Sequence, residues 1–121
     1  MAFRDPTPDE TRLLQFLGRV AHLPDEWLSD LSVEEMRDGG MGSLVLREHH
    51  AAPDRHYGRT LAACQFEDCD GVAVIASLYG NRDAIPIELD VWKVDFSPLR
   101  QIAVQFTILD ESEIPTRAPS R

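Results

Sequence analysis

The sequence is poor in lysine and in cysteine. Lys93 is its single lysine beside eleven arginines. Its two cysteines, Cys64 and Cys69, are too few to build a disulfide framework, so the small disulfide-rich scaffolds are excluded. Cys64 lies in an apolar run and is predicted to be a core residue, whereas Cys69 lies in a polar turn and is predicted to be exposed.

Long apolar runs are also missing. No stretch approaches the roughly 18 apolar residues that a membrane-spanning helix needs. The opening residues MAFRDPTPDE lack the basic and apolar regions of a signal peptide. We therefore expect a cytoplasmic protein without membrane contact.

Positive charge is scarce relative to negative charge. The chain has 12 Lys+Arg against 21 Asp+Glu, a formal net charge of −9. Such a surface repels phosphate backbones, which argues against nucleic acids and anionic membranes as partners. It favours a basic protein partner, although acidity also serves solubility alone.

The length of 121 residues predicts a single domain spanning 1–121, with residues 1–7 and 110–121 frayed. The stretch Thr7–Glu10 has the residues of a capping box with proline at the first helical position. It predicts a helix over about 8–21. A second, shorter helix is predicted over about 24–31.

From Val33 onward the apolar period changes to that of strands separated by turn residues. Strands are predicted near 33–37, 42–48, 59–66, 72–79, 85–96 and 102–108. The predicted fold class is α+β, with one or two N-terminal helices packed on a mainly antiparallel meander sheet of five to six strands.

The glycine-rich stretch DGGMG invites comparison with a ligand loop. Gly39 and Gly40 lie between two strand-like runs, which is typical of a type I′ hairpin turn and would place Met36 opposite Ser43. Gly42 is not explained by the turn and indicates a bulge or a close backbone approach. A phosphate cradle would need a following helix or a convergent lysine, and neither is present.

No metal-ligand spacing is present. The DxDG corner at 68–71 lacks the first and twelfth ligands of a calcium loop and leads into a strand, so we interpret it as a hairpin turn with solvated acids. His49, His50 and His56 share a polar loop without zinc-site spacing. We predict neither a metal site nor a cofactor.

The strand IPIELDVWKVDF alternates clearly. Its apolar residues point one way, and Glu88, Asp90 and Trp92 point the other. If that second face is solvated, it is an ordinary polar sheet face. If the helices cover it, the carboxylates need cations, for which the candidates by sign are Arg37, Arg47, Arg59 and Lys93.

Two stretches together, DGGMGSL (38–44) and ELDVWKVDFSPL (88–99), resemble a small bacterial family known only as a domain of unknown function. The LL-x-x-L pattern of the first helix and the DxDG corner agree with it, and the likeness covers about Thr11 to Leu99. The resemblance implies a shared α+β fold. It implies no activity and assigns no functional residue.

The leading functional hypothesis is a non-catalytic acidic interaction protein, in its sharpest form an immunity or inhibitor protein that binds a basic bacterial toxin. Charge complementarity would supply the recognition. The predicted partner-binding residues are Asp38, Glu88, Asp90, Trp92 and Asp95.

Two alternatives remain open, and no recognisable catalytic constellation favours an enzyme. One is a small enzyme or ligand-binding domain with a helix/sheet cleft lined by Asp38, Ser43, His56 and Glu88. The other is a structural homo-oligomer in which strand 85–96 lies at a sheet edge and pairs with a second copy. The expected state is a monomer or homodimer.

Overall fold

The computed structural model describes residues 3–48 and 54–114. It contains one α-helix, α1 (Pro8–Val20), and six strands: β1 (Leu31–Glu35), β2 (Leu44–Glu48), β3 (Arg59–Glu67), β4 (Ala73–Gly80), β5 (Pro86–Lys93) and β6 (Thr107–Leu109). Two short 3₁₀ helices, Asp25–Leu28 and Glu111–Glu113, complete it. The fold is α+β, as predicted. No helix within the described ranges is long and apolar enough to cross a membrane.

Helix α1 begins with the predicted capping box. The Thr7 hydroxyl accepts a hydrogen bond from the Glu10 N–H at 3.1 Å, and the Glu10 carboxylate accepts one from the Thr7 N–H at 2.8 Å. These bonds satisfy donors that the first helical turn leaves open. The second predicted helix, over 24–31, forms only the 3₁₀ helix Asp25–Leu28, which carries the buried Trp27 against α1.

The six strands form one antiparallel sheet in the order β1-β2-β5-β4-β3-β6. Strands β3, β4 and β5 are a meander, and the β1–β2 hairpin joins it through β2 and β5. The prediction that strand 85–96 lies at a sheet edge is therefore wrong, because β5 is hydrogen-bonded on both sides. That strand also ends earlier than predicted, at Lys93, where the chain turns and the Phe96 N–H bonds the Lys93 carbonyl oxygen.

The main core lies between α1 and one face of the sheet. Leu13, Leu14 and Leu17 of α1 are fully buried in a cluster with Leu89 and Val91 of β5. Because neighbouring strand residues point to opposite faces, Glu88, Asp90 and Trp92 lie on the face away from α1. The fold therefore separates an apolar helix-covered face from a second face that carries carboxylates.

Candidate functional site

The glycine-rich hairpin joins β1 to β2 in the predicted register. The Met36 N–H donates to the Ser43 carbonyl oxygen at 3.0 Å, and Glu35 pairs with Leu44. Gly39 and Gly40 have φ of 75° and 80°, which a type I′ turn requires and other residues rarely adopt. The hairpin is confirmed, but the two-residue type I′ turn is not: residues 38–41 form a bend in which the Met41 N–H donates to the Asp38 carboxylate rather than to a backbone carbonyl oxygen.

The Asp38 carboxylate stabilises the loop by accepting hydrogen bonds from its backbone. One oxygen accepts the Met41 N–H at 3.0 Å and the other accepts the Ser43 N–H at 2.9 Å. These bonds satisfy backbone donors in a tight turn. Asp38 therefore has a structural task in addition to its position beside the candidate site.

A side chain at position 42 would have little room, because the segment after β5 packs on Gly42. Its φ is +98°, and a Cβ built there would lie 3.0 Å from Leu99 Cδ2. The Leu99 N–H also donates to the Gly40 carbonyl oxygen at 3.0 Å. The close approach expected at Gly42 is thus real, but it is made by a side chain rather than by backbone. The two motifs that carry the family resemblance meet at this point.

Ser43 attaches the hairpin to β5. Its hydroxyl accepts the Val91 N–H at 2.9 Å and donates to the Val91 carbonyl oxygen at 3.2 Å. Regular pairing of β2 with β5 covers only Leu44 with Leu89 and Val45 with Glu88. Where the backbone pairing of β2 with β5 ends, the Ser43 side chain therefore continues the connection by hydrogen bonding to the β5 backbone.

A cavity of about 360 Å³ lies between this hairpin and the face of β5 turned away from α1. Four of the five predicted partner-binding residues line it. The full lining is Met36, Arg37, Asp38, Met41, Ser43, Glu88, Asp90, Val91, Trp92 and Phe96. The hairpin side and the strand side of the cavity come from segments about fifty residues apart in sequence.

The fifth predicted residue, Asp95, is not in the lining. Its carboxylate accepts the Ser97 N–H at 2.9 Å and the Ser97 hydroxyl at 2.6 Å, and these bonds lower the pKa of Asp95. In its place the cavity uses Phe96, which the sequence reasoning missed. The Phe96 ring is 49% exposed and its centroid lies 6.1 Å from that of Trp92.

Neither interpretation of the Glu88/Asp90 face was fully correct. Asp90 and Trp92 are only 8% and 6% exposed, so this is not an ordinary solvated face. They are not covered by the helices either, because α1 packs on the opposite side. Asp90 is paired across the sheet with Ser77, which is also buried. Glu88 is half-buried.

The candidate cations for that face lie mostly elsewhere. Arg37 does line the cavity. The Arg47 guanidinium lies 4.0 Å from the centre of the Phe3 ring, and Arg59 begins β3, beyond β4. Lys93 occupies the opposite face of β5.

Lys93 forms a buried ion cluster that the sequence reasoning missed. Its ammonium donates to Asp68 at 2.8 Å, to Asp70 at 2.6 Å and to the Pro98 carbonyl oxygen at 3.2 Å. Asp68 is 3% exposed, so the interpretation of the DxDG corner as solvated acids is wrong for this residue. A signal was present in the sequence: strand alternation places Lys93 on the side of Leu89 and Val91, where a lysine needs acidic partners.

The charges in this cluster stabilise one another. Burial acts to raise the pKa of Asp68, but hydrogen bonds from Lys93 and from the N–H groups of Arg100, Cys69 and Gln101 outweigh it and hold that pKa well below its usual range. Burial acts to lower the pKa of Lys93, but the hydrogen bonds to Asp68 and Asp70 have the larger effect, so the pKa of Lys93 is raised. The cluster is therefore charged, and it attaches the 98–101 segment to the β3–β4 turn.

The helix/sheet cleft of the second hypothesis does not form as predicted. Asp38, Ser43 and Glu88 share the cavity, but His56 is absent from its lining. The His56 ring nitrogen Nδ1 lies 2.5 Å from Asp54, and hydrogen bonds from His56 and Arg82 lower the pKa of Asp54 to about 2. His49 and His50 lie outside the described residues. Among the residues that are described, no group of three or more His, Cys, Asp or Glu side chains is arranged to hold a metal ion.

The two cysteines lie where predicted. Cys64 is fully buried, and burial raises the pKa of its thiol to about 12, so it is not a nucleophile at neutral pH. Cys69 is exposed.

The fold and the cavity define a small α+β domain with one helix on one face of an open antiparallel sheet. Beside the other face lies a recess lined by acidic and aromatic side chains, two methionines and Arg37. The chain belongs to the family described as a domain of unknown function, DUF6984, whose model matches residues 3–103. Both motifs of the family resemblance lie within that range. No curated protein and no solved structure matches the chain.

Proposed function

We propose that this protein is a non-catalytic binding domain whose cavity receives a cationic side chain of a basic protein partner. The observation that carries the proposal is the convergence of Glu88, Asp90, Trp92 and Phe96 on one recess. In its sharper form, the partner is a basic bacterial toxin in the cytoplasm, and the domain acts as its immunity or inhibitor protein.

The walls of the cavity match the chemistry of a guanidinium group. Carboxylates accept bidentate hydrogen bonds from arginine, and aromatic faces attract its delocalised charge. Met36 and Met41 add flexible, polarisable side chains that adapt to an inserted group. The volume is near the lower end of the roughly 300–1,000 Å³ of ligand pockets, a size suited to one long side chain.

The overall charge adds long-range attraction. A net charge of −9 raises the rate at which a basic partner arrives, and this contribution falls as salt screens it. Recognition after arrival would depend on the cavity itself. The two contributions are therefore separable by experiment.

The polar groups of the hairpin support binding better than catalysis. The Ser43 hydroxyl bonds two backbone atoms of Val91, and both Asp38 oxygens bond backbone N–H groups. A nucleophile needs a base within hydrogen-bond reach, and the hydrogen bonds of the Ser43 hydroxyl within the described part of the chain join it to the backbone of Val91. These side chains shape the recess rather than supply a reacting pair.

The test uses hexa-arginine as the probe, titrated by calorimetry at low and at high salt. Glu88→Gln/Asp90→Asn should weaken binding by at least about tenfold, since each lost charge-assisted bond contributes roughly 1.5–3 kcal/mol. The control Glu26→Gln/Asp83→Asn removes two exposed charges outside the cavity. It should change binding less than about threefold, the scale of exposed ion pairs.

Equal losses in the two double variants would show that only net charge matters and would overturn the cavity as the site. Absence of wild-type binding at low salt would overturn the proposal altogether. For the sharper form, wild type and the Glu88/Asp90 variant are used in parallel to capture proteins from the native host. A basic nuclease retained only by wild type is the expected result.

A further inference from the structure

Phe96, which lines the cavity, has a backbone conformation that is unfavourable for a bulky residue. Its φ is 63°, in the left-handed region that glycine and asparagine adopt most readily. The described residues include two other non-glycine positions of this kind, His22 and Ala84, and neither lines the cavity. Strained backbone persists only where the surrounding structure enforces it, and it is concentrated at functional sites.

Hydrogen bonds on both sides of Phe96 enforce this conformation. The Phe96 N–H donates to the Lys93 carbonyl oxygen at 2.8 Å, which closes the turn after β5. The Asp95 carboxylate accepts the N–H and the hydroxyl of Ser97, at 2.9 and 2.6 Å. The Lys93 ammonium, which is fully buried, donates to the Pro98 carbonyl oxygen at 3.2 Å. The segment 93–98 is therefore fixed at both ends, and the position of the Phe96 ring is fixed with it.

The ring that this turn carries gains little from burial. It is 49% exposed, whereas the neighbouring Trp92 is 6% exposed. The two ring centroids lie 6.1 Å apart with an interplanar angle of 50°, so Phe96 packs against Trp92 with part of its surface and leaves the rest open. A smaller residue that adopts positive φ readily would complete the turn at lower cost. Folding alone therefore does not explain a phenylalanine at position 96.

We propose that Phe96 is a specificity-determining residue of the cavity: its exposed ring surface stacks on a guanidinium group and makes the site prefer arginine to lysine. This role rests on the function proposed above and specifies which cation is bound. Among the described residues of the lining, three carboxylates stand against the single guanidinium of Arg37, so the cavity attracts either cation. The guanidinium is planar and weakly hydrated and stacks on an aromatic ring, whereas the ammonium of lysine is compact and strongly hydrated. The carboxylates therefore supply affinity, and the ring supplies the choice between the two cations.

The experiment compares hexa-arginine with hexa-lysine, each titrated into the same protein by calorimetry at physiological ionic strength. Wild type should bind hexa-arginine at least about fivefold more tightly than hexa-lysine. Phe96→Asn keeps the turn, since asparagine tolerates positive φ, and should reduce this preference to about twofold or less. Phe96→Trp retains an aromatic face and should keep the preference. Because the ratio compares two peptides on one protein, partial unfolding of a variant does not change it.

Tyr57→Asn is the matched control. Tyr57 is also an exposed aromatic residue, at 58%, but it is not in the lining of the cavity, so this variant should keep the wild-type preference. A wild type that binds the two peptides equally, or equal preferences in wild type and Phe96→Asn, would overturn the role of Phe96 alone. So would equal losses of preference in Phe96→Asn and Tyr57→Asn. Absence of wild-type binding to either peptide would overturn the proposed function as well.

Thermal unfolding of Phe96→Gly and Phe96→Ala tests the strained conformation separately. Both substitutions remove the ring, but only glycine adopts positive φ without strain. The glycine variant should therefore melt at least about 3 °C higher than the alanine variant. At an ordinary loop position the order is the opposite, because glycine has more conformational freedom to lose on folding. That opposite order at position 96 would contradict the strained conformation of Phe96 and overturn the proposal.

Discussion

Lys93 Nζ lies 2.8 Å from Asp68 Oδ2, and neither side chain has any exposed surface. This pair joins the end of β5 to the turn between β3 and β4. Through Pro98, Arg100 and Gln101 it also holds the segment whose Leu99 packs on the glycine hairpin. The ion cluster on one face of β5 therefore positions a wall of the recess on the other.

Replacement of Lys93 by methionine should destabilise the protein strongly. It leaves Asp68 buried without its cation, and breaking one side of a buried pair is far more costly than replacing both. We expect the melting temperature to fall by about 10 °C or more. Arg100→Met is the control, since Arg100 is 67% exposed and lies 3.5 Å from Asp70, and it should shift melting by roughly 2 °C or less.

Stability should decrease in acid because of Asp68. Its folded-state pKa lies well below the ordinary 3.8, so its contribution is complete above that value and is lost as pH falls towards the folded pKa. Urea unfolding of wild type and Asp68→Asn should differ most above pH about 5, and the difference should shrink steadily as pH falls below about 4. A difference that stays constant across this range would contradict the charged state assigned to Asp68.

Gly42→Ala should cost more than Gly39→Ala. Both positions have positive φ, and a Cβ at Gly39 would meet nothing within 4 Å, so alanine there costs only backbone strain of about 1–2 kcal/mol. At Gly42 the Cβ would also press on Leu99 at 3.0 Å. Denaturant unfolding should show an additional loss of about 1 kcal/mol. Equal losses at the two positions would mean that Leu99 does not pack there.

Gly18→Ala should destabilise α1 although alanine is the better helix former. Helix propensity favours alanine by about 1 kcal/mol. A Cβ at Gly18 would lie 2.4 Å from the indole nitrogen of Trp27, which costs about 2–3 kcal/mol if the ring must move. In a Trp27→Leu background the same substitution should become neutral or stabilising. A loss of stability in the Trp27→Leu background as large as that in the wild-type background, measured by denaturant unfolding, would count against this contact.

Local sequence determined the elements whose causes lie within a few residues. The capping box starts α1 because Thr7 and Glu10 are three positions apart, and the glycines at 39 and 40 let the chain reverse between β1 and β2 because both have positive φ. The alternation of β5 correctly separated Leu89 and Val91 from Glu88 and Asp90. The family resemblance rested on the two motifs that turned out to meet.

Tertiary structure decided everything that depends on partners distant in sequence. Placement of β5 between β2 and β4 made a supposed edge strand central, and it buried Lys93 against Asp68, with the more exposed Asp70 as a second partner. It also brought Phe96 to the recess and left Asp95 outside it. Strand pairing and burial depend on contacts with sequence separations of tens of residues, so propensity and spacing, which act within a few residues, do not determine them.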